Sequence, residues 1–310
     1  MSEAQSEWID RIDALRVWKS GGRRAPHKPL LLLWAIGQVM RGKREFEFES
    51  VEESLGVMLN SFGPQTRGKT SPELPYWHLQ SDGLWELNES ESLERSASGF
   101  PLMAALRGTR ANLPARFETL VRGDAAFRRR VVHQILSGHF PASVFDDILV
   151  CVGLTDTLEE PSSPPTKSQS RPTRDPAFRT NVMLAYEHRC AVTGFRASLG
   201  GHYFGVEAAH VMWHAQGGPD TVANGLVLEP TMHKLFDRGA WTLTDDRRVI
   251  VSSQFSGTDE ATAVLRSKHG ATLRSPLPGF APPGADFIRW HRESDRGGVF
   301  RHPGLPLSEA

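Results

Sequence analysis

Residues 159–176 constrain this chain more than any other stretch. They read E-E-P-S-S-P-P-T-K-S-Q-S-R-P-T-R-D-P, with five prolines, four serines and no large apolar side chain. Proline removes backbone donors, and nothing here can be buried to offset the entropy of ordering. The segment therefore reads as a semi-extended linker rather than a packed element. It splits the 310 residues into a first domain over 1–158 and a second over 177–310. Each is long enough to bury a core of its own.

Composition narrows the class. The 36 basic and 36 acidic side chains cancel. That excludes a chain coated in positive charge, while a local basic stripe can still serve nucleic acid. Two cysteines, Cys151 and Cys190, are too few for a disulfide framework or a four-cysteine zinc site within one chain. Cys190 reads as a small buried residue rather than a nucleophile. The longest apolar run, 30–36, is far short of the ~20 residues of a membrane span. The first residues carry Glu3, Glu7 and Asp10 and no basic-then-apolar targeting segment. The expectation is a soluble, cytoplasmic protein.

Periodicity predicts a mostly helical first domain with a small sheet. Trp8, Ile12, Leu15 and Trp18 recur at helical spacing. Residues 27–40 are apolar on nearly all sides, so they predict a buried helix, with Pro26 and Pro29 at its start. A third helix is expected over 51–62, two short strands around a Ser-Asp-Gly turn over 74–87, and two helical stretches over 115–136 broken near Gly123. In the second domain the pattern predicts a helix over 178–188, strands at 206–209 and 226–228, and a helix at 231–236. A hairpin of 241–243 with 249–252 and helices over 260–268 and 286–293 follow. The fold class is α+β for both domains.

Eight of the twelve histidines follow residue 180, which directs attention to the second domain for metal or acid–base chemistry. His233 and Asp237 are four apart, so a helix places imidazole and carboxylate on one face. A nitrogen and oxygen pair so placed suits a divalent ion. His210 falls at the end of a strand, where a neutral imidazole can deprotonate water. Asn224 lies on the loop between, where its amide can hold the loop's shape. His188, His202 and His214 read as surface or phosphate-contacting residues.

These residues carry a resemblance. E-A-A-H over 207–210, N-G-L-V-L over 224–228 and H-K-L-F-D-R-G over 233–239 resemble the HNH nuclease superfamily, whose core is a ββα-metal finger. His210 and Asn224 are 14 positions apart, and Asn224 and His233 nine. R-C-A-V-T-G over 189–194 and I-R-W-H-R over 288–292 extend the resemblance across 176–302. It implies His210 as the general base, Asn224 as the brace that aligns it, His233 as a metal ligand, and Asp237 at the position of a second ligand. The implied cofactor is a divalent ion, Mg²⁺ or Mn²⁺ first, with Ni²⁺, Zn²⁺ or Co²⁺ as alternatives. Two departures stand out. Ala209 occupies the place of a metal-binding residue in many members, leaving Glu207 or the phosphate to complete the shell. The Cys-x-x-Cys knuckles of other members are missing, so no structural zinc is expected.

The first domain carries a second resemblance. A-P-H-K-P-L-L-L-L over 25–33 and L-P-Y-W-H-L-Q-S-D-G-L-W-E-L over 74–87 resemble the sulfur-binding domain of phosphorothioate-dependent restriction endonucleases, over about 8–150. It implies an apolar cavity for sulfur at Pro75, flanked by Leu74 and Tyr76, with His78 in the same motif. Leu74 stands where other members have an aromatic residue. Arg23, Arg24, His27 and Lys28 would hold neighbouring phosphates or base edges. Trp77 and Trp85 read as core. Together the resemblances imply a type IV restriction endonuclease that finds phosphorothioate-modified double-stranded DNA and cuts nearby, with a homodimer on DNA as one way to cut both strands. The alternatives are a nuclease dependent on a methylated base, a non-catalytic DNA-binding protein on an HNH scaffold, and an HNH-fold RNA nuclease or toxin.

Overall fold

The computed structural model describes residues 2–20, 23–63, 71–88, 90–97, 99–157, 176–293 and 298–307. The linker expected at 159–176 lies outside them, apart from Pro176, which opens a helix.

The first domain contains α1 (Glu3–Asp13), β1 (Lys19–Ser20), β2 (Arg23–Arg24), α2 (His27–Met40), β3 (Phe46–Glu47), α3 (Phe48–Phe62), α4 (Glu73–His78), β4 (Glu86–Leu87), α5 (Met103–Leu106), β5 (Arg110–Asn112), α6 (Ala115–Gly123), α7 (Ala125–His139) and α8 (Phe145–Val152). Helix α2 is its central beam, as its apolar sequence predicts. Leu30, Leu31, Leu32, Leu33, Ala35 and Ile36 are wholly buried, each large aliphatic contributing about 1.5–3 kcal/mol. Helix α8 lies so close to α2 that a Cβ on Gly37 would stand 2.0 Å from the Val152 carbonyl oxygen. A three-stranded sheet of order β3-β5-β4 closes one side.

Two expectations fail here. The helix expected to reach Trp18 ends at Asp13, because the backbone N–H and guanidinium of Arg16 turn away to Asp82 (3.2 and 3.3 Å). Trp18 is left 60% exposed. Residues 74–79 are helical rather than extended: α4 runs into a short 3-10 turn at 79–82, and only Glu86–Leu87 pairs as a strand. Pro75 is tolerated because first-turn N–H groups have no helical acceptor in any case.

The second domain contains α9 (Pro176–Ala185), β6 (Ala197–Leu199), β7 (His202–Phe204), β8 (Glu207–His210), β9 (Gly225–Leu228), α10 (Pro230–Asp237), β10 (Trp241–Leu243), β11 (Val249–Val251), α11 (Asp259–Arg266) and α12 (Ala285–Arg292). The β8–β9 hairpin is its centre, in the register Glu207 with Leu228 through His210 with Gly225. Side chains alternate along β8. His210 faces α9, where its ring stacks on Phe178 at 4.0 Å. Glu207 faces α10 and meets His233. Helix α12 clamps the β10–β11 turn through Arg289 and Arg292, which both donate to Asp245. His291 is wholly buried between Thr242 and the Phe236 carbonyl, with its pKa lowered to about 4 by burial.

The domains meet along α10. Lys234 pairs with Asp147 at 2.8 Å, Arg238 lies 4.5 Å above the Phe62 ring, and Arg301 donates to the Ser61 carbonyl at 2.7 Å.

Candidate functional site

In the first domain the start of α2 and the start of α4 enclose an open depression of about 330 Å³. Val17, Trp18, Ala25, Leu74 and Pro75 supply carbon walls, with His27, Lys28 and His78 among the lining residues. Leu74 is 44% exposed at the rim, while Pro75 is buried at the helix start. Lys28 does not present a free charge: its ammonium pairs with the buried carboxylate of Asp82 at 2.5 Å. His27 Nδ1 is buried and makes no hydrogen bond among the described residues. Burial pushes the His27 pKa down to about 4, so the ring is neutral. The His78 pKa is lowered by burial and then by the charge of Lys28. Among the described residues the lining is mostly carbon, and the Lys28 ammonium is held back by an anion.

Of the residues expected here, Leu74, Pro75, His27, Lys28 and His78 come together. Tyr76 does not. It is wholly buried, with its hydroxyl 3.2 Å from Thr109 and its ring against Phe48 and Trp85. On a helix the neighbours of a surface residue turn away by about 100°, so Tyr76 enters the core while Leu74 reaches the rim. Arg23 and Arg24 form β2, paired with Lys19–Ser20, and their side chains lie outside the described part. Trp85 is core as expected, and Trp77 packs half-buried against Phe100.

In the second domain His210 Nε2 stands 2.7 Å from Asp220 Oδ1. Asn224 is wholly buried and braces the intervening loop three ways. Its Oδ1 accepts from Met212 N at 2.8 Å, and its Nδ2 donates to the carbonyls of Met212 and Pro219 at 3.0 Å. Gly218 permits this closure, since a Cβ there would lie 1.9 Å from the Met212 carbonyl oxygen.

On the other face of the hairpin, both ring nitrogens of His233 meet carboxylates: Nδ1 with Glu207 at 2.7 Å and Nε2 with Asp237 at 3.1 Å. Burial alone would lower the His233 pKa, but Asp237 and Glu207 outweigh it and push it up to about 9. Asp237 is buried, and burial alone would raise its pKa; the charge and hydrogen bond of His233 and the Ser143 hydroxyl hold it below the usual range. Trp213 Nε1 also donates to it at 2.8 Å. The Ser143 hydroxyl donates to Asp237 Oδ2 from the first domain.

Asp220, Trp213, Phe178 and Ser143 were not singled out from the sequence. Asp220 left a signal: it is the lone acidic residue between Glu207 and Glu229. Ser143 left none.

A model of the ScoMcrA-like DNA sulfur-binding domain matches residues 5–157, and an HNH endonuclease model matches residues 190–244. This chain joins a ScoMcrA-like sulfur-binding domain to an HNH endonuclease domain. The sulfur-binding domain of ScoMcrA complexed with phosphorothioated DNA is 23% identical, over 49% of this chain and 98% of that one, with a TM-score of 0.45. The sulfur-binding domain of SprMcrA complexed with phosphorothioated DNA is 24% identical, over 49% and 96%, with a TM-score of 0.40. The modification-dependent TagI restriction endonuclease is 28% identical, over 39% of this chain and 38% of that one, with a TM-score of 0.29. No curated protein matches the chain.

HNH endonuclease domains generally use a divalent ion. Among the described residues no cluster of three or more His, Cys, Asp or Glu side chains is assembled to hold one. In the HNH domain, however, His233 Nε2 and Asp237 Oδ2 are 3.1 Å apart, the spacing of two adjacent ligands with bonds of about 2.1 Å to one ion. Together they could offer one nitrogen and one oxygen to such an ion. Ala209 contributes no ligand. Among the described residues no helix is long and apolar enough to cross a membrane.

Proposed function

We propose that this chain recognises phosphorothioate-modified double-stranded DNA through the depression above Pro75 and cuts nearby phosphodiester bonds with its HNH domain. The observation that carries the reading is the carbon-walled, charge-balanced depression within the sulfur-binding domain, on the same chain as His210, Asn224 and His233. A phosphate oxygen loses hydration it cannot regain against Leu74 and Pro75, whereas sulfur is larger and more weakly hydrated. Lys28, compensated by Asp82, offers little to an ordinary phosphate. The depression therefore penalises oxygen more than sulfur, which is how a binding difference becomes specificity. Arg23 and Arg24, just before α2, would hold flanking phosphates.

In the HNH domain His210, oriented by Asp220, would take a proton from the attacking water. The water oxygen attacks phosphorus and the bond to the 3′ oxygen breaks. The leaving 3′ oxygen takes a proton from solvent, so the products are a 5′ phosphate and a 3′ hydroxyl. Phe178 and Asn224 hold His210 and its loop in place. A divalent ion held by His233 and Asp237 would supply Lewis-acid stabilisation of the phosphate and leaving oxygen. To act as a ligand His233 would give up its Nε2 proton, so metal affinity would rise with pH. Mg²⁺ and Mn²⁺ suit the carboxylate with phosphate oxygens.

One observation favours a second reading, a DNA-binding protein without catalysis: Ala209 offers no ligand and both nitrogens of His233 are already engaged. Two duplexes differing only by an Rp phosphorothioate, incubated with Mg²⁺ or Mn²⁺ beside a His210→Ala control, separate the readings. Cleavage confined to the sulfur-bearing duplex and lost in the variant supports the proposal. Equal cleavage of both removes the sulfur reader, and selective binding without cleavage under any divalent ion selects the second reading. Cutting of both strands would call for two protomers per duplex, and a one-to-one complex that cuts both strands by size exclusion would remove the dimer.

A further inference from the structure

The β6–β7 hairpin takes no part in either site described above. Gly200 and Gly201 form its two-residue turn, with φ of 58° and 80°, the conformation that makes a tight hairpin and that other residues adopt poorly. The register pairs Ala197 with Phe204, Ser198 with Tyr203 and Leu199 with His202. Directly paired residues share a face, so the ribbon has two different sides. On one, Tyr203 is sandwiched: the His188 ring stacks on it at 4.7 Å and the Arg196 guanidinium lies 4.5 Å over it. On the other, Leu199 is 78% exposed and Phe204 54% exposed, with His202 beside them. An apolar face this open on a two-stranded ribbon would be costly without a partner.

The charge pattern names the partner. From His188 to Val206 the sequence holds no Asp or Glu, while it holds Arg189 and Arg196 with His188 and His202. An acid-free, arginine-bearing ribbon with apolar side chains along one face complements a phosphate backbone and the base steps between the strands. A two-stranded ribbon also has the width of a DNA groove. Position agrees. Only Gly205 and Val206 separate β7 from β8, the strand that ends at His210. At about 3.3 Å per residue, the ribbon turn reaches at most ~30 Å from His210, about nine base pairs of duplex.

We propose that the β6–β7 ribbon is a second DNA-gripping element, which enters the groove of the duplex beside the cut with Leu199 and Phe204 against the base steps and Arg196 at a phosphate. The proposal rests on the reading of the chain as a DNA-cutting protein, but not on sulfur recognition. It makes the HNH domain a DNA binder in its own right.

The test uses the full chain in EDTA, so that no cleavage intervenes. Affinity is measured for a 30-base-pair duplex with and without one central Rp phosphorothioate, for the wild type and for Leu199→Ser with Phe204→Ser. Both substitutions are polar replacements at exposed positions, and circular dichroism checks the fold. Expected is a tenfold or greater loss of affinity for both duplexes, with the ratio between them unchanged. An Arg196→Gln variant should reduce the slope of affinity against salt by about one phosphate contact. Affinities within twofold of the wild type for both duplexes overturn the proposal. So does a change of oligomeric state with DNA affinity preserved, which would make the ribbon a protein interface. A wild type that binds both duplexes equally, with the ribbon variant weakened on both, removes the sulfur reading and leaves the ribbon standing.

Discussion

Among the described residues around Pro75 the walls are carbon, His27 Nδ1 is buried without a hydrogen bond, and the Lys28 ammonium is spent on Asp82. Around Asp237 the reverse holds: His233, Trp213 and Ser143 all direct N–H or O–H groups at one buried carboxylate. The first arrangement removes hydration from whatever enters and gives little back. The second fixes a charge in place before any ligand arrives. A soft, weakly hydrated atom is selected by the first kind of site, and a phosphate undergoing displacement is served by the second. The two sites need opposite dielectric surroundings, which is a physical reason to put them in separate cores.

The largest test of that contrast falls on the polar side. His210→Ala should lower cleavage of the sulfur-bearing duplex by about 10³-fold, within the range for loss of a general base, while leaving the affinity ratio between modified and plain duplexes unchanged. A loss of sulfur preference in that variant would merge the sites that the structure separates.

The next falls on the carbon side. Lys28→Ala leaves the Asp82 carboxylate, 2% exposed, with the exposed Arg16 as its remaining charged partner among the described residues. A destabilisation of about 3 kcal/mol is expected by urea unfolding, in the range for breaking a buried pair. Lys28→Ala with Asp82→Asn should recover most of it. No recovery would mean that the pair does not balance itself as described.

Acid should act on the same side. His27 stays neutral in the fold down to about pH 4 but takes a proton near its ordinary 6.5 when unfolded. Its contribution is complete above about pH 6.5 and is lost as pH falls toward 4. Integrated over that window the loss is about 3 kcal/mol. His27→Gln should flatten that part of the stability profile, and an unchanged profile would mean the buried Nδ1 is wetter than it stands here.

Leu74→Asp places a carboxylate at the rim and should lower the phosphorothioate preference about tenfold, against less than threefold for Leu74→Met. The smallest effect is expected for Ser143→Ala, which removes one of three hydrogen bonds to Asp237, a loss of about 1 kcal/mol. Measured as a shift in the apparent metal affinity for cleavage, it asks whether the first domain steadies the HNH site. No shift would confine Ser143 to docking the two domains.

Much of the second domain could be read from the residues alone. Strands over 206–209 and 226–228 and the helix over 231–236 appear within one or two residues, because a ββα unit is built from neighbours in sequence. The buried α2 helix appears at its expected limits for the same reason. The failures have specific causes. The 74–79 stretch has an alternation that suits a strand, but a proline in its first turn and the pull of Asp82 toward Lys28 and Arg16 made it helical. Tyr76 was placed at the cavity because it adjoins Pro75 in sequence, and helical rotation carried it into the core.

The sequence by itself determined the α+β class and the order and spacing of His210, Asn224 and His233. These depend on composition and on contacts within a few turns of chain. Only the tertiary structure decided which charges cancel and which faces stay open. Lys28 and Asp82 are 54 positions apart and Ser143 and Asp237 are 94 apart. No local periodicity reports on such pairs, because they form only when independently determined helices pack and exclude the water between them.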